Sequence, residues 1–500
     1  MKKIFIFLLS IGLSACMMGP DFHPQAAPQT QRYTASPLPK KTVATKGRAG
    51  KSEEFMLGKN VEKDWWEIYH SKEINCLVSE GIRHSPNIKA ARATLRQAYD
   101  NYKAQFGTLL LPTITGQFSG VRERFSGEEF GDTQSRSNTL FNLFDATTSL
   151  SYTLDIWGGL RRQVEAAHAN VDFERYELLA AYLAITSNIV TAAITASSLQ
   201  AQIDATQALI QAFSEQLNIL QKQFELGAIS KANVLTQQTL VEQTKATLPP
   251  LQKSLAQTNN ALAVLTGRLP SETKIPTIRL NKLFLPEELP VALPSVLVRQ
   301  RPDIQASEAL LHVATANIGA ATANLFPQLT ISAMYGFESN ILSNLIQPIH
   351  NIWNYGANLG QTFFQGGALV SQRRAAIAAY QNAFQQYQQT VLTAFQNVAD
   401  TLKAIEYDAK AYRANVLAET AARNNLNLIQ GQYRLGGVDY LSLLNAEQQY
   451  QQTLINRIQA EAARFADTAA LYQALGGGWM TCQECISQLA HKPVTNIKKS

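Results

Sequence analysis

Two long stretches of the chain carry apolar residues at helical spacing, the signature of a packing seam. In residues 182–224 one seam is Tyr182, Ile189, Ala196, Ile203, Ile210, Leu217 and Phe224. A second is Ile185, Ala192, Leu199, Thr206, Phe213 and Leu220. The pattern returns as Ile377, Phe384, Val391, Val398 and Ile405, with Tyr380, Tyr387 and Ala394 beside it. No proline falls between Pro112 and Pro249, or between Pro348 and Pro493. Unbroken helices are expected over about 160–226 and 368–435, each roughly 100 Å long at ~1.5 Å per residue. Gly227 and Gly436 stand where they would end, since glycine tolerates the left-handed conformation that stops a helix. A returning heptad follows each glycine. The first is Val241, Leu248, Leu255 and Leu262. The second is Leu441, Gln448, Ile455, Ala462 and Ala469, with Leu444, Ile458, Phe465 and Tyr472 on a parallel seam. Each stretch reads as a long antiparallel helical hairpin. Pro249-Pro250 is expected to kink or split the first returning helix.

A period of two precedes each long helix. Leu150, Tyr152 and Leu154 alternate with Ser149, Ser151, Thr153 and Asp155, and Ile114 and Phe118 with Thr113, Thr115, Gln117 and Ser119. Leu329, Ile331, Ala333, Tyr335 and Phe337 alternate with Thr330, Ser332, Met334 and Gly336, and Tyr355, Ala357 and Leu359 with small or polar residues. Such alternation predicts strands with one apolar and one polar face. Each approaches the 9–11 residues with which a tilted strand crosses a bilayer. Pro112 and Pro327 mark helix-to-strand corners, and Gly158-Gly159 and Gly366-Gly367 mark strand-to-helix corners. Polar loops over about 123–144 and 338–353 are expected to join the strands of each pair.

The chain is written twice. Ser85-Pro86-Asn87-Ile88 matches Arg301-Pro302-Asp303-Ile304, Leu110-Leu111-Pro112 matches Leu325-Phe326-Pro327, and Arg162 to Asn170 echoes Arg374 to Asn382. Phe224-Glu225-Leu226-Gly227 recurs as Tyr433-Arg434-Leu435-Gly436, and Leu265-Thr266-Gly267 as Leu475-Gly476-Gly477. Order is kept at an offset of about 210 residues, which marks a tandem duplication. The expected organisation is a signal peptide (1–15), an N-terminal arm (16–70), a first repeat (71–267), a Pro-rich junction (268–294), a second repeat (295–477) and a tail (478–500).

The start of the chain supplies a compartment. Lys2 and Lys3 precede a short apolar run, Ile4 to Leu13, that ends in Leu13-Ser14-Ala15-Cys16. This reads as an export signal that is too short to span a membrane. It resembles a lipobox, so Cys16 is the expected site of cleavage and acylation; plain signal cleavage and a buried cysteine are the alternatives. No other stretch has 18 apolar residues in a row. Cys76 reads as a small apolar packing residue. Cys482 and Cys485 leave a local disulfide open, and a metal clip would need more ligands than nearby His491. The 16% charged fraction is low and the net charge of +6 is small and scattered, which gives no footprint for nucleic acid.

Four strands do not close a membrane barrel, and open strand edges are not tolerated in lipid. Membrane strands would therefore require an oligomer. At this point the sequence resembles a known family. Gly19-Pro20-Asp21-Phe22, Asp64-Trp65-Trp66, Asp155-Ile156-Trp157-Gly158, Arg301-Pro302-Asp303-Ile304, Ala314 to Pro327, Gln389 to Gln396 and Leu475 to Trp479 look like the lipoprotein members of the TolC-like outer-membrane efflux family, OprM/NodT branch. The resemblance covers about residues 16 to 480. It implies a mainly α fold with a membrane β-barrel portion: a homotrimer with a twelve-stranded barrel and a helical tunnel through the periplasm. It implies a passive exit duct of a tripartite pump. The implied partners are a periplasmic adaptor, a proton-driven inner-membrane transporter of the RND type and outer-membrane lipid. No cofactor is expected beyond the lipid on Cys16. The alternative is a lipidated periplasmic adaptor, although adaptors carry a single hairpin.

A conduit needs no catalytic residue. The seven histidines at 23, 70, 84, 168, 312, 350 and 491 are scattered, with no metal-binding pair spacing and no Gly-x-Ser-x-Gly turn. No metal site and no enzyme are expected. Gly47-Arg48-Ala49-Gly50-Lys51-Ser52 superficially matches a phosphate loop, but Thr45 stands where the motif needs glycine, so the segment reads as a polar linker. Arg161-Arg162 and Arg373-Arg374 read as solvated surface. By the resemblance, the second-repeat tip carries an apolar-plus-Asp constriction, which makes Leu435 and Asp439 the gate candidates. A ring of three Asp439 carboxylates would favour cations. Asp439 is equally well placed to cap the returning helix. The tips, with Gly227, Ser230 and Lys231 in one repeat and Gly436 and Gly437 in the other, are the candidate adaptor contacts.

Overall fold

The computed structural model describes residues 17–30, 32–125, 139–272 and 274–478. After β1 (Glu54–Leu57) the first repeat runs α1 (Lys72–His84), α2 (Pro86–Leu110), β2 (Thr113–Phe125), β3 (Thr139–Leu154), α3 (Gly159–Glu225) and α4 (Lys231–Leu265). After β4 (Glu288–Val291) the second runs α5 (Pro294–Gln300), α6 (Pro302–Ala323), β5 (Gln328–Ser339), β6 (Asn351–Gly360), α7 (Ala368–Arg434) and α8 (Tyr440–Ala474). The chain divides into two compact units, and both repeats contribute to each. One contains the chain up to Gln25, Leu95–Glu174 and Ala306–Gln388; the other contains Ala26–Thr94, Arg175–Gln305 and the chain from Gln389.

The four long helices stop by one local device. At the end of α3, Ala228 N–H donates to Gln223 O at 2.8 Å and Gly227 N–H to Phe224 O at 2.9 Å. At the end of α7, Gly437 N–H donates to Gln432 O at 2.8 Å and Gly436 N–H to Tyr433 O at 3.0 Å. Gly227 and Gly436 have φ of 73° and 74°. This paired closure satisfies carbonyls that the helix leaves open. The same pairs of bonds end α4 at Gly267 and α8 at Gly476.

In the first unit, β2, β3, β5 and β6 form one antiparallel sheet in that order. The register aligns Ile114 with Leu150, Leu150 with Ala333 and Ala333 with Tyr355. Because side chains alternate along each strand, all four apolar sets share one face. The other face carries Thr115, Ser149, Met334 and Asn354 in one row. The strands extend past the expected loop boundaries, β2 to Phe125, β3 from Thr139, β5 to Ser339 and β6 from Asn351. Residues 126–138 lie outside the described residues. The 340–350 connection is not the polar loop expected, since Ile341, Leu342, Ile346 and Ile349 stand exposed on it.

In the second unit, β1 and β4 pair in parallel, from Glu54 opposite Glu288 to Leu57 opposite Val291. This joins the N-terminal arm to the Pro-rich junction, a link no local pattern foretold. Lys41–Glu54 at 2.9 Å and Lys59–Glu288 at 2.6 Å offset the facing glutamates. In the same unit, Trp65 stacks on Tyr472 at 5.5 Å, and the Tyr69 hydroxyl donates to Phe465 O at 2.8 Å. Glu53 and Arg464 form an ion pair with both side chains buried.

Several local readings change. The Gly47–Ser52 segment is not a polar linker. Ala49 and Gly50 are buried, and the Ala49 and Lys51 carbonyls accept hydrogen bonds from Arg464; a buried guanidinium needs those acceptors. Cys76 is exposed, because Leu77 and Val78 take the inner face of α1. Pro249 and Pro250 lie inside a continuous α4. Both are exposed, as are Lys245 and Ala246 one turn earlier, so water replaces the lost backbone bonds. On α8, Leu441 and Gln448 face outward, and the seam is carried by Tyr440, Leu443, Leu444, Ile458, Phe465 and Tyr472. Part of α3 is apolar enough, by length and composition, to cross a membrane; half of that window is buried within the chain.

Candidate functional site

The turns at the ends of α3 and α7 form the hairpin tips, and they differ. Ser230 begins α4 without a side-chain cap; its backbone carbonyl accepts from Asn233 N–H at 3.2 Å. Lys231 follows, exposed. In the second repeat, Asp439 caps α8: its Oδ1 accepts from Ser442 N–H at 3.0 Å and from the Ser442 hydroxyl at 2.5 Å. These bonds hold the Asp439 carboxyl below the usual carboxylate range, so it is charged at neutral pH. Leu435, the residue after α7, is 89% exposed. Gly436, Gly437 and Val438 separate it from the cap. An apolar side chain and a negative charge four residues apart thus both stand in solvent.

Beneath the tips the two repeats share one core. Leu209, Phe213, Leu220, Val234, Leu240 and Val241 pack with Leu426, Tyr440, Leu443, Leu444 and Ala446. Gln237 is fully buried within it. Its Nε2 donates to Phe213 O at 3.2 Å, and its Oε1 accepts from the Tyr440 hydroxyl. Glu447 lies buried on the same face of α8 and bonds to Gln237, while its Oε2 has no partner. Burial pushes its carboxyl up to about 7. Sequence reasoning passed over this trio. The available signal was a Gln and a Glu at seam positions otherwise held by aliphatic residues.

In the first unit, the arm that follows Cys16 is fixed at the strand-to-helix corner. Met18 N–H donates to Trp157 O at 2.9 Å, and Arg162 reaches Asp21 at 2.6 Å and Glu165 at 2.7 Å. His312 contacts Glu165 at 2.8 Å and stacks on Phe22 at 4.3 Å. Arg162 is therefore a buried anchor, not solvated surface; Arg373 and Arg374 are exposed. Gly158 lies against Met17, and Gly159 against Ala323. Trp157 donates to Pro327 O at 2.7 Å, which ties the two corners together. Pro112 follows the end of α2, and Gly366 and Gly367 precede α7. Cys16, Cys482, Cys485 and His491 lie outside the described residues. Among the described residues, no three His, Cys, Asp or Glu side chains gather as metal ligands.

The sequence profile of the outer membrane efflux protein family matches residues 77–268 and 293–477, one match for each repeat. The chain belongs to the outer membrane efflux protein family. Among its relatives is the cation efflux system protein CusC of Escherichia coli O6:H1, 25% identical over 480 residues, 95% of this chain and 99% of that one. The probable efflux pump outer membrane protein TtgC of Pseudomonas putida is 26% identical over 488 residues, 94% of this chain and 96% of that one. The solved outer-membrane channel OprN superposes with a TM-score of 0.83 at 24% identity, over 93% of this chain and 100% of that one. The open-state MtrE outer membrane channel of Neisseria gonorrhoeae gives 0.78 at 25%, over 93% and 98%. As a member of the efflux family the protein is an outer-membrane exit channel with a periplasmic helical part. The adaptor alternative falls, because the match spans both hairpin repeats.

Proposed function

We propose that the protein works as a lipid-anchored homotrimer, in which three sheets join edge to edge as a twelve-stranded barrel. One observation supports this most. The four-stranded sheet ends in β2 and β6, each paired on one side only among the described residues, and an unpaired edge is not tolerated in lipid. Acyl chains on Cys16 would hold the arm at the membrane, beside the corner where Arg162 grips Asp21. The helical tips would meet a periplasmic adaptor, with an RND-type inner-membrane transporter as the source of energy. A groove of 380 Å³ between α4 and α8, lined by Leu235, Thr236, Thr239, Gln243, Leu444 and Gln448, is the adaptor seat. Leu435 and Asp439 would narrow the closed tip to an apolar and acidic ring.

The test is electrophoretic migration of the outer-membrane fraction with and without heating, combined with a cysteine pair on Gln117 of β2 and Asn354 of β6. A heat-sensitive trimer that oxidation converts to covalent oligomers supports the reading. A monomer in the inner-membrane fraction sinks it.

A further inference from the structure

The second strand hairpin ends short of the first. The last β3–β5 pair is Phe144 with Ser339, yet β3 extends five residues further, to Thr139. That overhang is about 16 Å at ~3.3 Å per residue. The loop after Ser339 thus begins beside strands that continue outward. From Ser339 to Gln372 the sequence has no Asp, Glu, Lys or Arg, whereas residues 126–138 contain Glu128, Glu129, Asp132 and Arg136.

The short loop is also apolar. Ile346 and Ile349 are 77% and 83% exposed, Ile341 and Leu342 are exposed too, and buried Leu345 pins the loop. It meets much of its own backbone demand. Ile341 N–H donates to Ser339 Oγ at 3.2 Å, Asn344 N–H to Ile341 O at 3.1 Å, Gln347 N–H to Asn344 O at 3.1 Å and His350 N–H to Gln347 O at 2.9 Å. Such internal pairing is what a segment needs when it leaves water. The apolar face of the same hairpin is exposed through Tyr335, Trp353 and Tyr355, so the loop joins strands that already present apolar side chains to their surroundings.

We infer that the Ile341–Ile349 loop is a lipid contact, seated in the outer leaflet at the boundary between headgroups and acyl chains. The inference rests on β2, β3, β5 and β6 being membrane strands. A second copy is the poorer occupant. The free edge it would bring is β2, which at this level carries the exposed residues Arg122, Glu123 and Arg124, opposite Asn142, Phe141 and Leu140 of β3. Four aliphatic side chains gain little against that surface, whereas burial in acyl chains removes them from water.

The test labels single cysteines at Ile346→Cys and Ile349→Cys with an environment-sensitive fluorophore. The background is the full trimer in vesicles, with Cys76, Cys482 and Cys485 changed to Ser. Tyr355→Cys serves as the strand reference and Ala228→Cys as the aqueous reference. At 346 and 349 the expected result is blue-shifted emission, quenched severalfold by lipid brominated near the headgroup end of its chains and unaffected by aqueous iodide. Iodide quenching would place the loop in water, and shielding from both quenchers would place it under another copy; either overturns the inference. Loss of lipid quenching at 355 as well would instead sink the membrane-strand reading itself.

Discussion

The Tyr440 hydroxyl donates to Oε1 of Gln237, joining the returning helices of the two repeats across 203 residues of sequence. Gln237 passes the link on to Phe213 O, so three of the four long helices meet at one amide. Buried bonds of this kind are costly to leave half made. Tyr440→Phe is therefore expected to lower stability by about 1–2 kcal/mol. Hydrogen exchange at amides of residues 226–245 should rise while that of the strands stays unchanged. Equal exchange at the tips of both proteins would refute the link.

Glu447 makes this junction sensitive to pH. Its carboxyl is raised from 4.5 to about 7 by burial, so the folded protein holds the proton more tightly than the unfolded chain. Its contribution to stability is fully present below about 4.5 and is lost as pH rises to about 7. The loss is on the order of 3 kcal/mol at full ionisation. Thermal midpoints measured from pH 4.5 to 8 should fall for the wild type across that window. Glu447→Gln should flatten the fall. A slope of the same size in the variant would assign the pH dependence elsewhere.

The two roles of Asp439 separate by substitution. Asparagine caps as well as aspartate does, so Asp439→Asn is expected to preserve the start of α8 while removing the charge. In planar-bilayer recordings this variant should lose cation preference. Asp439→Ala should lose it too and also destabilise the helix start by about 1 kcal/mol. Unchanged selectivity in both variants would leave Asp439 a cap and nothing more.

Arg162 is expected to hold the arm against its corner. Asp21 is kept below its usual pKa by the guanidinium beside it, so the pair persists at neutral pH. Arg162→Ala should free residues 17–25, with cleavage by an added protease faster by roughly tenfold, the factor given by about 1.4 kcal/mol of local stability. Arg373→Ala, at an exposed side chain, should change nothing. Equal cleavage of all three proteins would contradict the anchor.

Two glycines that end long helices, Gly436 after α7 and Gly267 after α4, should respond differently to alanine. At Gly436 nothing lies within 4 Å of an added Cβ, so Gly436→Ala carries only the left-handed strain of about 1–2 kcal/mol. At Gly267 the added carbon would lie 2.4 Å from His84 O, so backbone must move as well. Gly267→Ala is expected to lower the thermal midpoint more than Gly436→Ala. The reverse order would remove the steric argument.

The long helices were legible because their periodicity is local and uninterrupted. So were the corners at Pro112, Pro327, Gly158 and Gly366, since proline and glycine act on their own backbone. Arg162 was misread for the opposite reason. Nothing near it in sequence reveals Asp21, whose approach depends on how the arm lies. Gly47–Ser52 was misread likewise, because its burial depends on Arg464 and Glu53. The Glu447 and Gln237 junction was hidden because each residue is an ordinary polar interruption until the other is placed beside it.

Seam periodicity, alternation and duplication are short-range properties. They determined from sequence alone that each half holds a helical hairpin and a strand pair, and the stacked motifs pointed to the efflux family. Tertiary structure decided what depends on separations of hundreds of residues. It set the parallel pairing of β1 with β4, the strand order that gathers four apolar faces on one side, and the burial of Arg162, Arg464 and Glu447. The physical reason is that a charge or amide is stable in the core only with its partner present, and the partner's position is a property of the folded chain.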